Sequence, residues 1–132
     1  GGKNHRIGLF DMIMIKDNHI DFNGNLSNTL KKTQAYLKQN NLSIKTIVEV
    51  RNLAEIEECF AFPWIQRLLL DNMSPKELKK AIALIDGRFS TEASGNINED
   101  TLVEIAETGV DYASLGALTH SAKNIDLSLK SL

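Results

Sequence analysis

Residues 68–87, LLLDNMSPKELKKAIALIDG, decide the fold, because they join a strand signal to a helix signal within one short segment. The leucines at 68–70 form an apolar run that ends at Asp71, which is typical of a strand buried on both faces. Residues 74–77 form a capping box with proline at the first helical position, and the Asp-Gly pair at 86–87 ends the helix. The segment therefore predicts a strand followed directly by a helix with an apolar stripe at Leu78, Ile82 and Ile85.

The same alternation extends over the rest of the chain. Further strands are predicted at Met12–Ile15, Ile44–Val50, Phe89–Ala93 and Val110–Leu115. Helical spacing predicts stripes at Leu26, Leu30 and Leu37, at Leu53, Ile56 and Phe60, and, after a cap at Asn98, at Leu102, Val103 and Ala106. Strands that alternate with helices predict a parallel sheet with right-handed crossovers, in one α/β domain over residues 1–132.

The number of units leaves two architectures open. Five strand–helix units are too few to close an eight-stranded barrel, which takes about 250 residues. The residues by themselves therefore allow either an open doubly wound sheet or part of a barrel. The chain opens Gly1-Gly2-Lys3 without an initiating Met, which fits a tag, a flexible tail or the cut edge of a longer protein. The repeat pattern favours the cut edge.

Composition excludes several classes of protein. The chain has 132 residues, 15 Lys+Arg, 17 Asp+Glu and a formal net charge of −2, so it is not the basic chain expected of a dedicated nucleic-acid binder. Cys59 is the single cysteine, which excludes a disulfide scaffold. The longest apolar run, residues 59–65, is far shorter than the ~18 residues of a membrane span. With no signal-peptide pattern at the start, we expect a cytoplasmic protein with no membrane partner.

Each predicted strand ends on a polar residue or a glycine. These strand-end residues are Lys16, Glu49, Asp71, Ser94 and Gly116. In parallel α/β folds the carboxyl ends of the strands meet at one edge of the sheet, and ligands bind at that edge. The sequence therefore predicts one functional rim that carries a cation, two carboxylates and two small residues.

The charged members of this rim have alternative roles. Glu49 and Asp71 are suited to bind Mg²⁺, to accept hydrogen bonds from sugar hydroxyls or to stabilise developing positive charge, and the alternative is a salt bridge to Lys16 or Arg6. Lys16 is suited to be a Schiff-base nucleophile or an anion clamp. No neighbouring residue favours the neutral amine that a Schiff base requires, so the clamp is the preferred interpretation.

Two further groups of residues predict anion binding. His5 and Arg6 beside Lys16 would form a cationic pocket for a carboxylate-bearing substrate, although from the residues alone a flexible basic terminus is the better explanation. The turns at residues 94–96 and 115–117 follow late strands, where backbone N–H groups and helix N-termini commonly hold phosphate. The alternative for both turns is that their glycines only permit a tight bend.

These residues resemble the motifs of the quinolinate phosphoribosyltransferase family, also called carboxylating nicotinate-nucleotide pyrophosphorylase. The motifs follow the family's order along essentially the whole chain. They are Asn4–Arg6, Ile15–His19, Val48–Val50, Leu70–Pro75, Glu92–Gly95 and Gly116–Ala122. The resemblance implies a partial, TIM-like α/β barrel, the C-terminal part of a longer enzyme whose other substrate-binding residues precede this chain. The chain alone is therefore expected to be inactive.

The resemblance also implies a reaction and its participants. Family enzymes are pentosyltransferases of NAD biosynthesis that transfer phosphoribose from phosphoribosyl pyrophosphate to quinolinate, with Mg²⁺. Decarboxylation gives nicotinate mononucleotide, CO₂ and pyrophosphate. A homodimer or higher homo-oligomer is implied, in which one subunit completes the site of the other, whereas nucleic acid is not an implied partner.

Carried over position by position, the resemblance assigns roles to the candidate residues. His5, Arg6 and Lys16 resemble the cations that face quinolinate. Glu49 and Asp71 resemble the carboxylates that hold the ribose hydroxyls and Mg²⁺, and with Lys16 they form the predicted catalytic set. The phosphate-binding turns are matched by Ser94, Gly95, Asn96, Gly116, Ala117, Leu118 and His120. Asn96 departs from the second glycine of many relatives, but asparagine also tolerates the left-handed conformation.

Three alternatives to this reading remain at the level of sequence. One is another phosphate-using barrel, such as an aldolase in which Lys16 is the Schiff-base nucleophile. A second is a catalytically silent binding half-barrel. A third is a paralogue associated with molybdenum transport, which shares much of the motif pattern.

Overall fold

The computed structural model describes residues 1–8 and 10–119 of the chain. Within them, strands and helices alternate as the sequence pattern predicts. The strands are β1 (Met12–Ile15), β2 (Lys45–Val50), β3 (Arg67–Asp71), β4 (Ser90–Ser94) and β5 (Tyr112–Ala113). The helices are α1 (Asp17–Phe22), α2 (Leu26–Gln39), α3 (Leu53–Cys59), α4 (Pro75–Ile85) and α5 (Leu102–Ala106), followed by a 3₁₀ turn at Gly116–Leu118.

The order of the strands selects the barrel-type architecture. The five strands form one sheet in the order β1-β2-β3-β4-β5, and every neighbouring pair is parallel. In a doubly wound sheet the strand order reverses at a switch point and helices cover both faces. Here each strand lies beside its predecessor along the chain, which is the winding of a (β/α) barrel. The prediction of a partial α/β barrel is confirmed.

The two faces of the sheet bury different residues. Val48 and Leu70 belong to a large core that also contains the buried side chains of all five helices, such as Leu30, Leu78 and Ile105. Side chains alternate along a strand, so the neighbours of those residues point to the opposite, inner face. That inner face carries a small cluster of Met12, Ile47 and Leu69. The inner positions nearest the carboxyl ends of the strands are polar, which prepares a site at that edge.

Helix α4 begins and ends where its sequence signals predict. The Ser74 hydroxyl faces the Glu77 amide at 3.4 Å, and the Glu77 carboxylate accepts the Ser74 N–H at 2.8 Å. Pro75 occupies the first turn, and Asp86 ends the helix in the left-handed conformation with φ 47°. The capping box fixes the start of α4, so that only residues 72–74 connect this helix to β3. This short connection holds the end of β3 in place.

Two predicted elements are wrong in detail, and one was missed. Helix α5 begins after Thr101 rather than at Asn98, whose side chain instead accepts the Asp100 and Thr101 amides in a turn before the helix. Ile105 faces the core, whereas Val103, predicted to be buried, is 66% exposed and Ala106 is exposed too. Strand β5 is short because only two of its residues pair with β4. The short helix α1 was not predicted, since six residues contain too little periodicity to reveal it.

Candidate functional site

The strand-end residues lie at the carboxyl edge of the sheet, as the parallel topology requires. Lys16 follows β1 directly, Glu49 is the penultimate residue of β2, and Asp71 and Ser94 end β3 and β4. Ile15 pairs with Val48, which brings the following residues Lys16 and Glu49 level, and Asp71 pairs with Ser94. Gly116 follows β5 in the 3₁₀ turn. We call the edge formed by these five residues the rim.

Lys16 is held at the rim through its backbone. Its N–H donates to Nδ1 of His19 at 3.0 Å, and helix α1 begins at the next residue. The Lys16 residue is exposed to solvent. A Schiff-base lysine is commonly activated by a desolvated, apolar pocket, so the exposed ammonium suits an anion clamp better than a nucleophile.

Glu49 is a buried carboxylate in an acidic environment. It is 8% exposed, and burial is the main cause that raises its pKa above the usual glutamate range. The nearby charges of Asp71 and Asp17 raise the pKa of Glu49 further, while Lys16 and a backbone hydrogen bond from Asp17 lower it. Among the described residues, no ion pair joins Glu49 or Asp71 to Lys16 or Arg6. The alternative of a salt bridge from Glu49 or Asp71 to Lys16 or Arg6 is therefore not found in the described part of the chain.

Asp71 is oriented by two side-chain donors. The Ser94 hydroxyl donates to Oδ1 at 2.7 Å, and the Asn72 amide donates to Oδ2 at 2.8 Å. Both carboxylate oxygens thus have fixed directions before any ligand arrives. Each oxygen retains further acceptor capacity, because an ionised carboxylate accepts about four hydrogen bonds.

The turn after β4 packs directly against Asn72. Gly95 has φ +89°, and a Cβ added there would lie 2.1 Å from Oδ1 of Asn72. Asn96 is also left-handed, with φ 52°, and its amide Nδ2 lies 3.4 Å from the same Asn72 oxygen. Asn72, which sequence reasoning did not select, therefore links the Asp71 carboxylate to the predicted phosphate-binding turn. What distinguishes Asn72 is its left-handed backbone, with a φ of 52°, and no pattern in the sequence reveals that conformation.

The second predicted phosphate turn lies beyond β5. Gly116, Ala117 and Leu118 form the 3₁₀ turn, and the side chain of Leu118 is 80% exposed. The turn is open to solvent at the rim. His120, predicted to complete this turn, lies outside the described residues.

His5 and Arg6 do not join Lys16 in one pocket, which corrects the expectation from sequence. They line a cavity of about 540 Å³ in which the strand residues are Met12 and Lys45. Those two residues begin β1 and β2, so this cavity lies at the amino ends of the strands rather than at the rim. The remaining lining residues are Asn4, Ile7, Asp11, Ser43 and Ile44.

Local hydrogen bonds explain the position of this segment. The Ile7 N–H donates to the Asp11 carboxylate at 2.8 Å, and the Gly8 N–H reaches its other oxygen at 3.4 Å. These bonds turn residues 5–8 back towards the start of β1. From there the His5 side chain reaches the inner face of the sheet, where Nε2 lies 3.4 Å from Oε1 of Glu92.

Glu49 and Asp71 are the rim residues that could hold a divalent cation. The described residues contain no group of three or more acidic, His or Cys side chains that could hold a metal ion alone. Glu49 and Asp71 are hard oxygen donors whose negative charges repel each other. Mg²⁺ commonly uses one or two carboxylates together with substrate oxygens and water, which matches this donor set.

No helix in the described part of the chain is long and apolar enough to cross a membrane.

Comparison with known proteins gives consistent matches over nearly the whole chain. The family profile described as quinolinate phosphoribosyl transferase, C-terminal domain, matches residues 1–130. A mitochondrial quinolinate phosphoribosyltransferase [decarboxylating] 2a of Nicotiana tabacum is 49% identical over 98% of this chain and 41% of its own length. A chloroplastic nicotinate-nucleotide pyrophosphorylase [carboxylating] of Arabidopsis thaliana is 48% identical with the same coverage.

A solved structure agrees with these relatives. The crystal structure of NadC from Streptococcus pyogenes is 42% identical and superimposes with a TM-score of 0.82, over 99% of this chain and 45% of that chain. This chain thus spans less than half the length of the relatives that it matches.

Proposed function

The chain belongs to the quinolinate phosphoribosyl transferase family, and from this premise we propose that the protein containing it makes nicotinate mononucleotide. In the proposed reaction the bond between ribose C1 and pyrophosphate breaks, and a bond forms between C1 and the ring nitrogen of quinolinate. The ring carbon next to that nitrogen then loses its carboxylate as CO₂ and takes a proton from water, which completes the product. The protein is in this proposal a pentosyltransferase of NAD biosynthesis, and the reaction takes place at the rim.

The single observation that carries the proposal is the pair of carboxylates at the rim. Departure of pyrophosphate leaves positive charge on the ribosyl group, and preorganised anions stabilise such charge in the transition state. Burial and the neighbouring acids raise the pKa of Glu49, so this part of the rim favours the approach of positive charge. Asp71 has both oxygens directed by Ser94 and Asn72, which spares the carboxylate a reorientation during the reaction.

Mg²⁺ belongs to this proposal as a partner of phosphoribosyl pyrophosphate. Glu49 and Asp71 would hold it together with substrate oxygens. When bound, the ion supplies neutralising charge to the departing pyrophosphate. The same two carboxylates accept hydrogen bonds from the ribose hydroxyls in the proposed complex.

The remaining rim residues bind the anionic parts of the substrates. The turns at residues 94–96 and 116–118, with His120, hold phosphate groups through backbone N–H donors. Lys16 acts as a clamp for a carboxylate of quinolinate, because its ammonium is exposed at the same edge as Glu49. His5 and Arg6 are not part of this clamp, because in the described residues they line the cavity at the amino ends of β1 and β2.

Assembly and compartment are also parts of the proposal. The family resemblance implies a homodimer or higher homo-oligomer, and large apolar side chains exposed at Ile7, Phe10, Phe22, Val103 and Leu118 are available to such an interface. Light scattering of the purified protein tests this.

We place the protein in the cytoplasm, a reducing compartment that suits the free, buried Cys59. Localisation of a fluorescent fusion tests it against the organelles for which the two plant relatives are named.

The test of the proposed reaction uses the protein that contains this chain. Quinolinate, phosphoribosyl pyrophosphate and Mg²⁺ are supplied, and nicotinate mononucleotide and CO₂ are measured. Asp71→Asn keeps the size of the side chain but removes its charge, and we expect it to reduce kcat strongly. Substrate binding without any turnover would instead favour a silent binding protein. Borohydride trapping of a carbonyl compound on Lys16 would favour the aldolase.

A further inference from the structure

Asn72 lies between two parts of the rim to which the proposed function assigns different groups of one substrate. It follows β3 directly, and its N–H donates to the Ser94 carbonyl at 2.9 Å, which ties the start of this loop to the end of β4. Both loops leave the sheet through left-handed residues, with φ 52° at Asn72, +89° at Gly95 and 52° at Asn96. The loop after β3 and the turn at 94–96 therefore begin side by side.

The two ends of the Asn72 amide have different partners. Its Nδ2 donates to Oδ2 of Asp71 at 2.8 Å, and Nδ2 of Asn96 donates to its Oδ1 at 3.4 Å. A carboxylate offers no proton, so the amide nitrogen has to face Asp71 and the amide oxygen has to face the turn. The oxygen fills the space beside Gly95, where an added Cβ would lie 2.1 Å from it. One planar group thus connects the Asp71 carboxylate to the turn.

Neither burial nor backbone conformation alone accounts for this amide. Asn72 is exposed to solvent, so packing in the core does not fix its position. Asn41 has nearly the same backbone, with φ 50°, in the loop between α2 and β2 at the opposite edge of the sheet. The contacts of Asn72 with Asp71 and with the turn are therefore what distinguish it.

We propose that Asn72 is a positioning residue that holds the Asp71 carboxylate and the turn at 94–96 at the separation that a sugar phosphate requires, an inference that rests on the proposed function. That function assigns ribose hydroxyls to Asp71 and phosphate to the turn, and both groups belong to one substrate molecule. Two subsites that are held at the correct distance before binding reduce the ordering cost of a ligand that spans them. Asn72 acts through these two partners.

The test compares two probes in the protein that contains this chain. Ribose 5-phosphate spans both subsites, whereas inorganic phosphate, measured as its competitor, needs only the turn. We expect Asn72→Gly, which keeps access to a left-handed φ, to raise the dissociation constant of ribose 5-phosphate about tenfold and that of inorganic phosphate by less than about twofold. Equal losses for both probes would show that the amide only keeps the turn folded. That result, or no loss for either probe, would overturn the proposal.

Asn41→Gly is the matched control, because it makes the same change at the same backbone conformation away from the rim. We expect it to leave both constants within about twofold of those of the unchanged protein. A loss for ribose 5-phosphate as large as that in Asn72→Gly would overturn the proposal.

A double-mutant cycle tests whether Asn72 acts through Asp71. Asp71→Ala should raise the dissociation constant of ribose 5-phosphate about tenfold, because it removes the acceptor for the ribose hydroxyls. Adding Asn72→Gly to Asp71→Ala should then change that constant by less than about twofold, since the group that Asn72 positions has already gone. Additive losses would overturn the proposal.

These binding measurements separate this inference from the proposed function, because neither probe involves quinolinate. If the unchanged protein forms no nicotinate mononucleotide, the proposed function fails, and a selective loss of ribose 5-phosphate in Asn72→Gly would still support the positioning role. One comparison needs no variant. If the unchanged protein binds ribose 5-phosphate no more tightly than inorganic phosphate, Asp71 and the turn do not act together, and the inference is overturned even where product is formed.

Discussion

Replacing Gly95 by alanine should destabilise the protein by more than the cost of placing an L-residue at a positive φ. Gly95 has φ +89°, which costs an L-residue about 1–2 kcal/mol. The new Cβ would also lie 2.1 Å from Oδ1 and 2.5 Å from Cγ of Asn72. Asn72 would have to move and lose its 2.8 Å hydrogen bond to the Asp71 carboxylate, which contributes about 1.5–3 kcal/mol. We expect a total loss of about 2.5–5 kcal/mol in the free energy of unfolding.

Gly109 is the matched control for the backbone conformation. Its φ is +88°, but a Cβ added there meets no atom within 4 Å. Gly109→Ala should therefore lose only the conformational part, about 1–2 kcal/mol. Urea denaturation of both variants measures the two losses under the same conditions.

Removing the obstructing side chain provides the second arm of the experiment. Asn72→Gly preserves access to the left-handed φ of 52° while deleting the amide. In the double variant Asn72→Gly/Gly95→Ala the side-chain clash is absent and only the backbone N of residue 72, 3.0 Å from the added Cβ, remains close, so the Gly95→Ala step should fall towards the cost measured at Gly109. If Gly95→Ala costs as much with Asn72 removed as with Asn72 present, the contact between the two turns is not what restricts residue 95. Equal losses at Gly95 and Gly109 would refute the reasoning in the same way.

Three further predictions concern the rim and the chain as a whole. Lys16→Ala should weaken quinolinate binding by roughly 2–4 kcal/mol, measured by calorimetry. Asp71→Ala should instead lower kcat and leave the affinity for quinolinate nearly unchanged. The reverse pattern would contradict the assigned roles. Because the folded state raises the pKa of Glu49, its ionisation costs stability as pH rises above the ordinary glutamate value. Glu49→Gln should therefore raise the melting temperature near neutral pH and lose this advantage in acid, and an equal gain at both pH values would contradict the electrostatic cause. Residues 1–132 expressed alone should associate or aggregate, because β1 and β5 are the edge strands of the sheet in the described residues. Light scattering of a stable monomer with a sharp melt would contradict this.

Local signals in the sequence were sufficient for much of the fold. The strand positions and the bounds of α4 follow from apolar runs, a capping box and an Asp-Gly stop, each of which involves neighbours along the chain. The convergence of Lys16, Glu49, Asp71 and Ser94 on one edge follows from the strand ends once the sheet is parallel. Interactions between residues that are close in sequence determine these features, so the sequence alone is sufficient to predict them.

Features that depend on contacts between distant segments needed the folded chain. Consecutive strand order distinguishes a barrel from a doubly wound sheet, and no periodicity within a segment encodes which strand will lie beside it. The approach of Gly95 to Asn72 and the contact of His5 with Glu92 join residues more than twenty positions apart. Patterning placed apolar and polar residues on the correct strands, but only packing across the sheet could decide which polar atoms meet, because those distances depend on register and on the path of the loops.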